Sequence, residues 1–359
     1  MALAERELRV ACFATQGSGS YDEERIAQLL APLTPEVWPF SRTTKRSSAS
    51  DIVRHGIRER PDVVVLEGTG VWGGMAVMRL ARRGIPFIVS SGDAVAPFLS
   101  AQHPVVGPAA RAYERRLCSS SAGFIGWTPY LVGRALTLGA PRGMTAASWA
   151  PRPVDGTDER RTLGIDPAAI VFGIAGSLNW DDRGYCYGWE LVKAVVETNR
   201  PDVHVLVVGD GTGLPHLEAL VAERGESRVT FTGRVARERV GPLLAAMDVG
   251  SLPQTVDGVG AFRYTTKISE YLASGLPTVM PQIPAAYDLD DGWIWRLPGD
   301  EPWGDGYIRA MAQLMETVTR DEISRRAAAV PRGASMFERD RQSRLAVQFV
   351  RDAVAAWRP

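Results

Sequence analysis

The stretch VVGDGTGLPHLEALV, residues 207–221, joins a β-branched run to three glycines, Gly209, Gly211 and Gly213, and then to a helical pattern. Such an arrangement could cradle a pyrophosphate, because glycines let backbone N–H groups approach it and a helix N-terminus favours an anion. A dinucleotide finger, however, follows the first strand of its domain and is answered about 20 residues later by a ribose-binding carboxylate. Here the run follows the second strand of its domain, and the text at that distance reads RVTFTG. The glycines are therefore expected to serve a tight turn with positive φ rather than NAD or FAD. Cys12, Cys118 and Cys186 are odd in number and far apart. That spacing suits reduced core thiols better than a disulfide frame or a zinc knuckle.

These groups need a scaffold, and 359 residues are long enough for two domains. Charges at Glu5, Arg6, Glu7 and Arg9 and a short apolar run from Val10 fit neither a signal peptide nor a membrane span, so a soluble cytoplasmic protein is expected. Net charge is zero, yet residues 1–150 hold 17 Lys and Arg against 12 Asp and Glu, and the remainder 24 against 29. The excess gathers at Arg42/Lys45/Arg46, Arg79/Arg82/Arg83 and Arg111/Arg115/Arg116. Solvated helix faces account for such clusters; the alternative is a surface for an anionic acceptor or a peripheral membrane contact. No nucleic-acid partner is expected.

Short, doubly apolar runs alternate with helical patterns: LRVACFAT (8–15), PDVVVLEG (61–68), IPFIVSS (85–91) and AGFIGWTP. Buried parallel strands between helices read in this way. In WTPYLVGRAL, Thr128 is placed to cap a helix and Pro129 to begin it. From about Ser148 to Asp166 the text is rich in Pro, Gly and charge, which marks a linker. The alternation then restarts with AIVFGIAG (169–176), VHVLVVG (203–209), RVTFTG (228–233), DVGSLP (248–253) and LPTVMP (276–281). Leu345, Phe349, Ala353 and Trp357 recur at fourfold spacing and predict an amphipathic helix over 337–357. The fold class is thus α/β: two Rossmann-like, doubly wound domains, 1–150 and 151–335, with a C-terminal helix, 336–359, expected to pack back across them. This is the outline of the GT-B architecture, and the outline alone fixes no function.

Motifs within the second half are more specific. The run from VHVLVVGDGTG through RVTFTG to DVGSLP, followed by RYTTKISEYLASGLPTVM (263–280), resembles the donor domain of family 4 glycosyltransferases. The resemblance spans about residues 169–281 and is only architectural over the first 150. It implies that Glu270 accepts hydrogen bonds from both ribose hydroxyls of a nucleotide sugar. It places Arg263, Lys267 and the helix N-terminus formed by Tyr264, Thr265 and Thr266 at the pyrophosphate. Gly233, Arg234 and Val235 would read the base, and Gly176 and Ser177 would border the donor. Gly17, Ser18 and Gly19 stand where the family's first glycine-rich loop approaches the diphosphate and acceptor; a glycine turn that merely starts a helix is the alternative.

Departures from the family accompany the likeness. Phe262 stands where many members have a first glutamate that contacts the donor sugar, and Ser177 and Tyr187 stand where many have Arg and Lys. Arg183 is expected to replace the missing cations. Trp180, Tyr185, Tyr187 and Trp189 could stack on sugar or base or belong to the core. Several members carry a histidine after the strand PFIVSS; here Gly92 and Asp93 follow, which makes Asp93 the candidate acceptor-side base or orienting group. Asp288, Asp290 and Asp291 in YDLDD look like a metal signature of the GT-A class, but the GT-B layout gives them no such task. No metal and no cofactor are expected.

The function so implied is transfer of a sugar from a nucleotide diphosphate sugar, of UDP or GDP type, with anomeric retention, to a small-molecule, lipid-linked or glycan acceptor. Domain closure would exclude water, and Asp93, Arg263 and Lys267 would be the catalytic groups. An NDP-sugar epimerase or phosphorylase, or a non-catalytic sugar-nucleotide-binding protein on the same fold, remain as alternatives.

Overall fold

The computed structural model describes residues 8–149 and 159–358. Part of the linker expected over 148–166 lies outside the described residues; beyond it comes a short helix, Glu159–Thr162. The chain divides into two compact units, one of Met1–Trp149, Phe262–Tyr264 and Ser335–Pro359, the other of Ala150–Ala261 and Thr265–Ala334.

In the first unit the strands are β1 (Val10–Ala14), β2 (Glu36–Val37), β3 (Val63–Glu67), β4 (Phe87–Ser91), β5 (Gly123–Gly126) and β6 (Gly143–Thr145). They form one parallel sheet in the order β2-β1-β3-β4-β5-β6. Alternate residues point to opposite faces, so Ala11, Phe13, Val64 and Leu66 enter one core while Val10, Cys12, Val63 and Val65 enter the other. Both faces being covered explains why these strands are apolar without alternation. Thr128 accepts the Leu131 N–H at 3.1 Å and caps the helix Pro129–Thr137, as its sequence context indicates.

The helix Arg339–Ala356 lies against the first unit. Its buried positions are Gln342, Ser343, Ala346, Val350 and Ala353, whereas Leu345 is 49 % exposed. Of the expected Leu345/Phe349/Ala353/Trp357 stripe, Ala353 is buried and Phe349 and Trp357 are partly buried against this core, and only Leu345 lies off the seam. Small side chains let the helix axis come close, and the Ser343 hydroxyl donates to the Leu29 carbonyl at 2.9 Å. Leu345 would hold the helix off.

The second unit holds β7 (Ile170–Ala175), β8 (Val203–Val208), β9 (Val229–Phe231), β10 (Val249–Ser251), β11 (Thr278–Pro281) and β12 (Ile294–Leu297). Their order, β12-β11-β10-β7-β8-β9, is again parallel throughout. Strand order reverses between β7 and β10, and in such sheets ligands bind beyond the carboxyl ends of the strands at that point. Gly176 and Ser177 follow β7 there, and Gln254 follows β10. The equivalent reversal in the first unit falls between β1 and β3. All three cysteines are free and buried, and among the described residues no helix is long and apolar enough to cross a membrane.

Candidate functional site

In the second unit the glycines of VVGDGTG face the chain itself. Gly209 has φ +140°, and a Cβ there would lie 1.9 Å from the Gly176 carbonyl oxygen; at Gly213 it would lie 2.5 Å from Cys186 Sγ. Their bareness lets the end of β8 press against the turn after β7. The close approach is made to protein backbone, which gives this glycine knot a structural task.

That turn forms one wall of a charged niche at the switch point. Lys267, on the helix Thr266–Ser274, is only 7 % exposed. Its Nζ sits 4.1 Å from the centroid of the Tyr187 ring, and a Cβ on Gly176 would come within 2.8 Å of it. Among the described residues no carboxylate oxygen lies within ion-pair distance of this ammonium. Glu270, one turn further on, lies largely out of solvent with no hydrogen-bond donor among the described residues on its carboxylate. Burial pushes its pKa up, while the charges of Lys267 and Arg237 pull it back. At the start of the helix Thr265 is extended, and its buried Oγ1 has no partner among the described residues. Buried polar groups are normally satisfied, so the fully buried, unpartnered Thr265 hydroxyl, on one helix with an ammonium and a carboxylate that have no ion-pair or hydrogen-bond partner among the described residues, makes a set of groups suited to a ligand.

Behind the niche, Glu190 is fully buried at the first turn of the helix Trp189–Val196. The Ser251 hydroxyl donates to it at 2.8 Å and the Tyr185 hydroxyl at 3.5 Å. Burial lifts its carboxyl from 4.5 to about 7 despite these donors. Sequence reading missed Glu190; its signal was a carboxylate among the apolar positions of WELVKAVV.

Other expected donor residues lie differently. Arg183 is exposed, folded onto Asp181 with Nε and Nη2 at 2.8 and 2.5 Å from Oδ2, and rests 4.4 Å above the Trp303 ring. Its charge is matched by Asp181 in this conformation. Gly233 (φ +63°) bridges to Gly209, while Arg234 is 84 % exposed and reaches Asp210 only at 3.8 Å. Trp180 stacks on His216 with centroids 3.9 Å apart, so one of its faces is covered.

In the first unit the glycine loop spends its donors internally. Gly17 N–H donates to Ala14, Ser18 N–H to the Phe40 carbonyl and Gly19 N–H to Glu23 Oε2 at 2.7 Å, while the Ser18 hydroxyl accepts from Phe40 N–H. With these amides occupied, the loop offers no spare N–H for a diphosphate in this conformation; it fixes the helix start at Tyr21. Arg263 belongs to the same unit, where its Nε donates to Asp93 Oδ1 at 2.6 Å and its guanidinium lies 5.9 Å from the Phe98 ring. The expected pyrophosphate cation and the expected base are therefore each other's partners. Tyr264 is buried against Tyr130 and Phe337.

Under this edge lies a buried pair that sequence reading also missed. Glu67, at the end of β3, accepts from Arg25 Nη1 at 2.9 Å and from Trp127 Nε1 at 3.0 Å, with Arg25 0 % and Glu67 1 % exposed. Arg25 also lies 4.4 Å over the Trp127 ring. Nearby, Asp22 is pushed up to about 6, by burial first and then by the charge of Glu67. The signal was present in VVVLE: a carboxylate closing an otherwise apolar strand.

Comparison with known proteins agrees with this architecture. Residues 1–147 match the family model described as a glycosyl transferase 4-like domain, and residues 169–316 match that of glycosyl transferases group 1. No curated protein matches in sequence. Among solved structures, HepE of Anabaena, in complex with UDP and glucose, is 15% identical, with 96% of this chain and 100% of that one covered and a TM-score of 0.69. Sucrose-phosphate synthase of Thermosynechococcus elongatus is 14% identical with coverages of 98% and 100% and a TM-score of 0.69. WaaG, a glycosyltransferase involved in lipopolysaccharide biosynthesis, is 17% identical with coverages of 95% and 99% and a TM-score of 0.66. At these identities the structural likeness concerns the fold, while the two family models together span most of the chain. The chain belongs to the family 4-like glycosyltransferases of the GT-B fold.

Proposed function

We propose that this glycosyltransferase takes its sugar from a nucleoside diphosphate sugar, of UDP or GDP type, and passes it with retention to an acceptor hydroxyl. The observation that carries the reading is the buried, carboxylate-free ammonium of Lys267 on a helix whose cap hydroxyl and Glu270 carboxylate are also unpartnered. A nucleoside diphosphate satisfies all three kinds of group. Its phosphates suit the ammonium and the helix N-terminus, and its ribose diol suits the carboxylate.

As the bond from the anomeric carbon to the diphosphate lengthens, negative charge grows on the leaving oxygen. Lys267 and the helix N-terminus are fixed in advance to stabilise it, so the scheme calls for no metal. Asp93, paired with Arg263, is proposed to orient the acceptor hydroxyl rather than act as a free base, the hydroxyl proton passing to the departing diphosphate oxygen as the new bond forms. Lipid-linked or glycan acceptors, and a peripheral membrane contact by the basic faces of the first unit, belong to the same proposal.

The test is thermal stabilisation by UDP, GDP, ADP, dTDP and NAD, with and without EDTA. UDP comes first because HepE was solved with it. A ligand bound only by the folded state raises Tm by mass action. One diphosphate is expected to stabilise the protein, unaffected by EDTA and abolished by Glu270→Ala. Stabilisation by NAD alone would overturn the reading. Product that forms from the donor without any added acceptor would favour an epimerase or a phosphorylase.

A further inference from the structure

A largely buried ammonium with no carboxylate at ion-pair distance among the described residues needs something to hold it, and the second unit supplies an aromatic face. Tyr187 Cδ2 lies 3.8 Å from where a Cβ on Gly176 would be, and Lys267 Nζ lies 2.8 Å from the same point. Tyrosine and lysine thus close on the turn after β7 together. The ring is itself fixed. Tyr185 meets the Tyr187 ring edge-on with centroids 6.4 Å apart at 89°, and the Tyr187 hydroxyl accepts a 3.4 Å hydrogen bond from Gln254 Nε2. Gln254 is 5 % exposed and donates also to the Pro253 carbonyl at 2.6 Å, directly after β10. Tyr187 is therefore held by the segment that follows β10 and lies against the turn that follows β7. Gly188 follows it with φ +91° and lets the chain turn into the helix Trp189–Val196 behind it.

We infer that Tyr187 is a positioning residue for the donor diphosphate: its ring face fixes the Lys267 ammonium against the Gly176 turn and, through that lysine alone, sets how strongly the diphosphate is held. The inference rests on the nucleoside diphosphate reading above. A cation over a tyrosine face is attracted to the ring quadrupole, and the attraction grows as the lysine is withdrawn from water; Lys267 is 7 % exposed. The ring also competes weakly with an arriving phosphate, because it carries no charge. A carboxylate in its place would cancel the lysine, and a second ammonium would repel it. Lys267 is thus kept in place without being neutralised.

The experiment compares binding of UDP with uridine, and GDP with guanosine, by calorimetry in wild type and in Tyr187→Leu, Tyr187→Phe, Lys267→Ala and the double variant Tyr187→Leu/Lys267→Ala. Leucine removes the ring face and should weaken the diphosphate by about 3- to 30-fold. Nucleoside affinity should not change. Phenylalanine keeps the face and should recover most of that loss. In the Lys267→Ala background the leucine substitution should cost nothing further, since interacting residues are non-additive. A fall in nucleoside affinity parallel to that of the diphosphate would overturn the inference, as would an equal loss from leucine with or without Lys267. Wild type that binds uridine and UDP equally, and guanosine and GDP equally, would overturn the diphosphate reading and this inference with it. A preference for the diphosphate over the nucleoside that is unchanged in Tyr187→Leu would overturn the inference alone.

Discussion

Glu190 offers a sharp test of the second unit's interior. It is fully buried, and its carboxyl is lifted from 4.5 to about 7 because lost hydration outweighs the hydrogen bonds from Ser251, from the Gly188 and Glu190 backbone and from Tyr185. The folded state therefore binds this proton more tightly than the unfolded state does. Its contribution to stability is complete below about pH 4.5 and is lost as pH rises through about 7. At 1.36 kcal/mol per pH unit, linkage between these two values removes about 1.4 kcal/mol by pH 5.5 and about 3.3 kcal/mol by pH 8. Glu190→Gln keeps the shape and has no charge to bury. Urea unfolding of both proteins at the two pH values, extrapolated linearly to water, should show the variant gaining about 2 kcal/mol on wild type between pH 5.5 and pH 8. Taking the difference between proteins removes every group that titrates alike in both. A gap that stays constant within about 0.5 kcal/mol would refute the claim that burial, rather than the hydrogen bonds, governs this carboxyl.

Removing one charge from the Arg25–Glu67 pair strands the other in the core, so Glu67→Gln should cost about 3–5 kcal/mol in denaturant unfolding. The apolar double replacement Arg25→Met/Glu67→Leu should recover most of it, and failure to do so would mean that Trp127 depends on the pair for more than a hydrogen bond. Gly209→Ala forces a methyl to 1.9 Å from the Gly176 carbonyl, and overpacking with positive φ should cost at least about 2 kcal/mol and weaken diphosphate binding through the displaced turn. An alanine variant with unchanged stability and unchanged UDP affinity would show that this turn is not tied to the niche.

Both sheets were legible because strands covered on two faces are continuous apolar runs; VVVL and VHVLVV admit few other readings. The edge strands β2 and β6 were not, since two or three residues such as Glu36–Val37 carry no period, and neither was the four-residue edge strand β12. The C-terminal helix was legible and so was its seam except at one position, because whether Leu345 or Ala346 faces the sheet depends on how closely the helix approaches. Lys267 and Glu270 could be located from the local motif on one helix. Arg263 and Asp93, 170 residues apart, could not be paired without coordinates, and neither could Glu190 and Ser251, 61 apart. In the loop Gly17–Gly19 the letters read alike whether the amides face a ligand or, as they do, Ala14, Phe40 and Glu23.

The three cysteines have a practical consequence. Burial pushes each thiol up to about 12, so little reactive thiolate is present near neutral pH. Cys12 and Cys118 lie in the first unit and Cys186 in the second. A thiol reagent can thus modify them only through the rare openings that expose them, and the labelling rate of each reports the opening free energy around it. The chain carries native clocks in both halves, one of them beside the turn that Gly213 and Cys186 share. A cysteine introduced on the surface would react long before they do, leaving a clean background for a spectroscopic probe.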